Sequence, residues 1–528
     1  MFPLSPLTLV LLAQTFLVLH WLTTYLRNPL RKIPAAHPLA PFTSAWIYYI
    51  RHLGIENATL KAAHDRLGPV VCLGPREISV NCVKGGVRDV YAGGFEKGDG
   101  RYNWYGFFRN YGVDNMFSTE RNKPHSQRKR MLSNIYSKSF VTTNEALLAQ
   151  MSAILYKRFL PRLEATLAND EEGGVLNIYA LLSGTTMDIV TAYIFGLRAS
   201  SNLLENAEQR AWFLDLYNSR RSFNFWPQEF PNFTAFVAMW FGYRLAPKWV
   251  DEANGEIEKW TARMCDDASE TVANGATKPE DLPVVYQQLS KTLFKDVEKG
   301  RMSSKEIIAS EVLDQLAAGF DTSGITLVYV VHELSQHKDI QTRLRAELLT
   351  LSPQLVPSSS PALPDPKAVD ALPYLHAVVW ETLRLHSAIP GPQPRVTPPQ
   401  GCTLGPEDAT YFVPGGVRVS ASAGLLHQNE DVYECASDWR PERWLHLDTL
   451  DAEKRKDMES RWFWAFGSGG RMCVGSHLAV YQMKYIVAAL YSNYSTGIVD
   501  DTGIEQSDAY TAPPRGEKLI IRLEKVAK

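Results

Sequence analysis

The sequence lacks the signatures of a small secreted domain and of a nucleic-acid binder. Its 528 residues hold six cysteines, and no two of them form a C-x-x-C pair. That absence excludes a thioredoxin-type motif and argues against a structural zinc site. A chain this long can build a large core without disulfides, so scattered thiols at Cys72, Cys82, Cys265, Cys402, Cys435 and Cys473 suit a reducing compartment. Neither sign of charge is in excess: 55 Lys+Arg against 57 Asp+Glu give −2, so no nucleic-acid partner is expected. With 45% hydrophobic and 21% charged residues, the chain is globular rather than disordered. Internal repeats are absent as well. Length alone suggests about three or four domains at roughly 150 residues each, an expectation that the motifs below displace.

Charge is missing altogether from Pro3 to Leu26, where Leu, Val, Phe and Trp dominate. A helix of that length spans about 35 Å, and about 30 Å suffices to cross a bilayer core. Arg27, Arg31 and Lys32 follow at once, so the remaining chain is expected on the cytosolic side. The competing reading, a cleaved secretory signal, needs a basic start, a shorter apolar run and a small-residue cleavage site, none of which is clear. The expected organisation is a membrane anchor over 1–27, a proline-rich hinge over 28–45 and a catalytic domain over 46–528. In the hinge, Pro34, Pro38 and Pro41 favour a stiff, extended connector.

Most of residues 120–390 has helical periodicity. The spacing predicts a long helix from Ser303, where Ser303-x-x-Glu306 matches a capping box, to about Gln336. Short strands are predicted at Val70–Leu73, Ile78–Cys82, Tyr411–Val413, Val417–Ser420 and Leu519–Leu523. The expected fold is mainly α with small sheets.

Residues 466–475 read FGSGGRMCVG. The glycines invite a phosphate-cradle reading, but neither the Lys-Ser/Thr of a P-loop nor a G-x-G-x-x-G spacing is present. Instead the segment fits F-x-x-G-x-R-x-C-x-G at every fixed position, through Phe466, Gly469, Arg471, Cys473 and Gly475. The probability of a chance match in a chain this long is on the order of 10⁻⁴. Gly469 and Gly475 are expected to permit turns and close backbone approach. The pattern resembles the haem-binding loop of the cytochrome P-450 (haem-thiolate) family. The resemblance covers about residues 40–525 and implies a helical prism with small β-sheets, preceded here by one N-terminal transmembrane helix. It implies haem b as cofactor and Cys473 as axial thiolate, the ligand type that pushes electron density toward O–O cleavage. It also implies that Phe466 packs near the thiolate and that Arg471 meets a haem propionate.

Other segments carry the same resemblance. Glu381-x-x-Arg384 lies in an apolar helical stretch, and Pro441-Glu442-Arg443-Trp444 is similar to the family's P-E-R-F. Glu381, Arg384 and Arg443 would then form a buried charge network of structural rather than catalytic purpose. Ala318-Gly319-Phe320-Asp321-Thr322 matches A/G-G-x-D/E-T inside the long helix. A mid-helix Gly costs about 1 kcal/mol against Ala, which points to function. Thr322 can bond back to its own helix or reach across a widened groove, and Asp321 can relay protons through water. His125 and Lys129 resemble a propionate-binding pair, with Arg128 or Arg130 sharing the contact, and Arg395 resembles a further propionate ligand. A solvated basic face is the alternative for the 125–130 segment.

Two aromatic segments are candidate substrate contacts: Tyr102, Trp104, Tyr105, Phe107, Phe108 and Tyr111, and then Phe223, Phe225, Trp226, Phe230, Phe233, Phe236, Trp240 and Phe241. Ordinary core packing explains aromatics equally well. The resemblance implies a monooxygenase acting on an apolar small molecule, of the microsomal type and most like fungal members of secondary metabolism. A separate NADPH-dependent flavoprotein reductase is the expected electron donor, with cytochrome b5 as an additional one, since no flavin or NADPH motif is evident. The expected location is the endoplasmic reticulum membrane. The rivals are a haem-thiolate isomerase or peroxygenase needing no reductase, and a non-catalytic haem carrier or sensor.

Overall fold

The computed structural model describes residues 5–98, 100, 104–169, 173–297 and 304–526. Tyr102, Ser303 and the first residues of the N-terminal apolar run lie outside the described residues. Helices make up 58% of the described residues, and the longest among them, Ser304–Gln336, has 33 residues. At about 1.5 Å per residue it crosses the molecule. Its flanks bury Val312, Leu316, Leu327, Val328 and Val331 in the main core.

The long helix packs along a second one, Ile178–Phe195. Gly319 allows the close approach. A Cβ there would sit 2.9 Å from a Val190 methyl, so this mid-helix glycine answers to packing, not only to the chemistry expected of it. The Thr186 hydroxyl donates to the Phe320 carbonyl at 3.0 Å across the same seam. Ile178–Phe195 is also the one helix among the described residues long and apolar enough to cross a membrane, and 94% of it is buried inside the molecule. It is a core helix.

Pro6–Arg27 forms a helix of 22 residues, capped by Ser5, whose Oγ accepts from the Thr8 N–H at 3.2 Å. Leu11, Leu12, Phe16, Leu17, Trp21 and Leu22 lie exposed along it. The proline-rich stretch that follows is packed rather than free. Leu30 and Ile33 are buried against the sheet, and Pro34 and Ala36 exchange backbone hydrogen bonds with Cys72 at 2.8 and 3.0 Å.

The largest sheet has four strands in the order Val70–Gly74, Glu77–Val80, Arg418–Ser420, Arg395–Val396. Val175–Asn177, Ile520–Lys525 and Tyr494–Asp500 make a second sheet, and Cys402–Leu404 with Tyr411–Val413 a third. All five strands expected from the sequence occur, shifted by a few residues at most. The other four are mostly two or three residues long and exist because a distant partner pairs them.

His427 links two halves of the site. Its ring is fully buried, with Nδ1 2.8 Å from the Arg384 carbonyl and Nε2 accepting the Trp464 N–H at 2.7 Å. Burial first, and then the Arg384 charge, pushes its pKa down to about 3. The folded protein therefore holds it neutral where the unfolded chain, with a pKa near 6.5, takes up a proton. Its contribution is complete above about pH 6.5 and falls by about 1.4 kcal/mol per pH unit as acid approaches the folded value. Urea unfolding at pH 7 and pH 5 is expected to show this loss, and His427→Gln to reduce the difference. An unchanged difference in the variant counts against it.

Candidate active site

Cys473 ends a loop whose backbone is set by two glycines. Gly467 and Gly469 sit at φ 68° and 70°, the left-handed region where a Cβ is costly. A Cβ on Gly469 would also lie 2.3 Å from the Tyr91 carbonyl. Gly475 departs from the sequence expectation: its φ is −87° and an added Cβ meets nothing within 4 Å. Neither strain nor crowding requires glycine there. The Cys473 N–H donates to the Phe466 carbonyl at 2.9 Å and closes the loop. Lys129 Nζ donates to the carbonyls of Gly470 and Met472 at 3.1 and 2.8 Å. The helix Ser476–Tyr491 begins immediately afterwards.

The thiol lines a cavity of about 1170 Å³ that runs from the protein interior to the surface. Burial raises its pKa, while the Gly475 N–H and the Lys129 ammonium pull it down. Phe466 and the Ala317–Gly319 and Asp321–Ser323 segments of the long helix line the same cavity. Between Ile308 and Ser335 of the long helix Ala318 is the exposed residue, and Thr322 is half-buried. The Thr322 hydroxyl donates to the Ala318 carbonyl at 2.8 Å, taking the back-bonded option. Arg221 holds Asp321 Oδ1 at 2.7 Å, while the buried Oδ2 has no partner among the described residues.

One edge of the cavity is cationic. His125, Lys129, Arg395 and Arg471 line it together with Lys97. Arg471 donates to the carbonyls of Thr119 and Glu120 at 2.8 and 2.5 Å and to Asn122 at 3.0 Å. Arg395 donates to the Tyr105 hydroxyl at 2.8 Å and lies over the Tyr91 ring. Lys97 was not among the residues singled out from sequence. Its ammonium sits 3.8 and 4.0 Å from the ring centres of Phe117 and Tyr105 and donates to the Phe117 carbonyl. Burial, with help from Arg395 and Arg471, pushes the Lys97 pKa well down. Burial and the same cationic neighbours bring His125 down to about 3. Among the described residues no carboxylate lies within ion-pair distance of Lys97, Lys129 or Arg395. Clustered, desolvated cations call for an anionic ligand. The two propionates of a haem meet that need, with the Cys473 thiol on the cavity floor and the bared helix face beside it. The residues present fit the group.

Glu381, Arg384 and Arg443 converge behind the loop. Glu381 accepts from Arg384 at 2.8 and 3.0 Å, from Arg443 at 2.9 Å and from the Trp444 indole at 2.8 Å. Trp444 therefore uses the aromatic position of that motif as a hydrogen-bond donor.

The aromatic segments divide. Trp104, Phe107, Phe108, Phe223 and Phe225 line the cavity, whereas Phe233, Phe236, Trp240 and Phe241 are exposed on the outer surface. Tyr105 is buried beneath Arg395, and the Tyr111 hydroxyl is held by the Glu258 carbonyl. A buried ion network ties the mouth together. Glu229 meets Arg418 at 2.9 Å and Arg51 at 3.6 Å and accepts from Trp104 at 3.1 Å.

A family model described as Cytochrome P450 matches residues 41–520. The chain is 26% identical to Cytochrome P450 monooxygenase hkm5 of Aspergillus hancockii over 505 residues, covering 93% of this chain and 90% of that protein. It is 27% identical to Cytochrome P450 monooxygenase macH of Penicillium terrestre, covering 94% and 93%. It is also 27% identical to Fusicoccadiene C-8 hydroxylase of Alternaria brassicicola, covering 94% and 92%.

Proposed function

The chain belongs to the cytochrome P450 family, and from that premise we propose a membrane-anchored monooxygenase that inserts one oxygen atom from O2 into an apolar small molecule of fungal secondary metabolism. The observation that carries this reading is the cavity itself, with the Cys473 thiol, the bared Ala318–Thr322 helix face and the cationic edge opening on one space. Haem b, when bound, supplies the redox chemistry of oxygen activation. In this reading Cys473 is its ligand, Lys97, Lys129, Arg395 and Arg471 neutralise its propionates, and the His125 ring donates a hydrogen bond to them.

The protein's own part is positioning and proton supply. Asp321 is held at one oxygen by Arg221, which leaves the other oxygen to exchange protons through water. Thr322, one residue on, offers a hydroxyl at the cavity wall. The apolar lining from Phe107, Phe108, Phe223 and Phe225 excludes bulk water and holds an apolar substrate. The exposed helix Pro6–Arg27 supports anchoring in the endoplasmic reticulum membrane. The exposed Phe236, Trp240 and Phe241 suit the same apolar surface. The three-part organisation 1–27, 28–45 and 46–528 belongs to this reading. So does electron supply by an NADPH-dependent flavoprotein reductase, with or without cytochrome b5.

Co-expression with such a reductase, followed by metabolite comparison with and without the chain, tests the proposal. Thr322→Ala is expected to keep NADPH consumption but cut product per NADPH by about tenfold or more, with peroxide released instead. Turnover that needs no reductase would favour the isomerase or peroxygenase. Cofactor loading with no turnover on any substrate would favour the carrier or sensor.

A further inference from the structure

We infer that Arg220 is an anion-reading residue in the substrate cavity, so that the preferred substrate carries a carboxylate on its apolar skeleton. This rests on the monooxygenase reading and narrows its substrate class. Arg220 follows the helix Ala207–Ser219 and lines the same cavity as Cys473. Among the described residues no carboxylate lies within ion-pair distance of its guanidinium. Its contacts are the Asn254 carboxamide, the Tyr217 carbonyl at 3.4 Å and the face of the Tyr217 ring at 4.9 Å. Its Nη2 has no acceptor among the described residues. Burial, and then the neighbouring Arg221 charge, lowers its pKa.

Most other charges of this wall are balanced. Arg221 pairs with Asp321. Arg51 and Arg418 share Glu77 and Glu229. Asp508 accepts the N–H groups of Asn57 and Ala58, and Glu258 that of Tyr111. Glu517 accepts from Asn218, and Asp251 pairs with Arg244. After this accounting, and with the cations of the haem edge and the exposed Arg515 set aside, Arg220 is, among the described residues, the part-buried cation of the cavity lining with donors to spare. A part-buried guanidinium with free donors favours a carboxylate, which it can bind through two hydrogen bonds.

The location makes the contact productive. Arg220 and Arg221 flank one ring, at 4.9 and 5.2 Å from the centre of Tyr217, and Arg221 reaches Asp321. A carboxylate on Arg220 is therefore held beside the helix segment that carries Asp321 and Thr322, and the apolar remainder of the molecule is left to run along the cavity.

The test uses the haem-loaded full-length protein and a set of linear and polycyclic apolar acids, each paired with its methyl ester. Binding is read by calorimetry and by the spin-state shift of the haem spectrum. At least one acid is expected to bind about tenfold more tightly than its ester, with the preference lost in Arg220→Met and kept in Arg220→Lys. Asn254→Asp places a carboxylate against the guanidinium and is expected to remove the preference as well, which decides the matter if Arg220→Met folds poorly. Equal binding of every acid and ester, or a preference that survives both Arg220→Met and Asn254→Asp, overturns the inference. If the native chain fails to give the spectrum of a thiolate-ligated haem, the monooxygenase reading falls instead.

Discussion

Cys473→Ala is expected to abolish the red-shifted carbon monoxide difference band of a thiolate-ligated haem, and with it all turnover. The variant should still fold. The hydrogen bonds that shape the loop run through the Cys473 and Gly467 N–H groups and through Lys129 Nζ, and none of them needs the sulfur. The thiol itself opens on the cavity and, among the described residues, accepts from the Gly475 N–H alone, a contact worth about 1 kcal/mol. Unfolding of the cofactor-free variant should therefore match the native chain to within about that amount. No other cysteine can take over. Burial pushes Cys72, Cys82, Cys265 and Cys402 up to about 11, 12, 12 and 11, so they resist ionisation. Neither they nor the exposed Cys435 line the cavity. A band that persists in the alanine variant would refute the assignment of Cys473. A variant that unfolds without cofactor would show that the loop depends on the sulfur for reasons other than ligation.

What could be read in advance divides by the range of the interaction. The Cys473 loop, Glu381-x-x-Arg384 and Ala318–Thr322 each place their chemistry within a few residues, so spacing alone exposes them. The long helix was legible for the same reason, because its apolar positions repeat over many turns. Lys97, Arg220 and Arg221 were not. Arg221 meets Asp321 across 100 residues of sequence, and Lys97 gains meaning only when Phe117, Arg395 and Arg471 surround it. No local pattern marks such a meeting. The glycines teach the same lesson from the other side. Spacing selected Gly469 and Gly475 alike, yet only Gly469 is held by a positive φ and a close carbonyl. Gly467, at φ 68°, passed unnoticed because the motif leaves its position open. The Arg395–Val396 strand spans two residues, too few for any alternation to register. Its existence is a property of the Arg418–Ser420 strand it pairs with.

Removing the Glu381 carboxylate has the largest expected effect on stability. Glu381 and Arg384 are fully buried and Arg443 nearly so. Burial alone would raise the Glu381 pKa, but hydrogen bonds and charge from Arg384 and Arg443 outweigh it and hold the carboxyl below its usual range. The stabilisation is therefore complete above the unfolded carboxylate pKa and is lost as pH falls through the folded one. Glu381→Leu leaves Arg384 with only the carbonyls of His427, Ala436 and Asp438 and no counter-charge. A buried charge stranded in this way costs about 3–5 kcal/mol. The damage should reach the cofactor site, because Arg384 grips His427 through two backbone carbonyls and the His427 ring accepts the Trp464 N–H at the start of the Cys473 loop. Glu381→Gln keeps the shape and part of the hydrogen bonding, so its loss should be smaller. Combined replacement of Glu381, Arg384 and Arg443 by apolar residues of similar volume should recover much of the stability, since no charge is then left unpaired. Denaturant unfolding and haem content, measured together, separate the cases. Haem content that tracks stability across the single and triple variants supports a structural network. A triple variant that is stable but empty of haem would assign these charges a direct part in holding the loop.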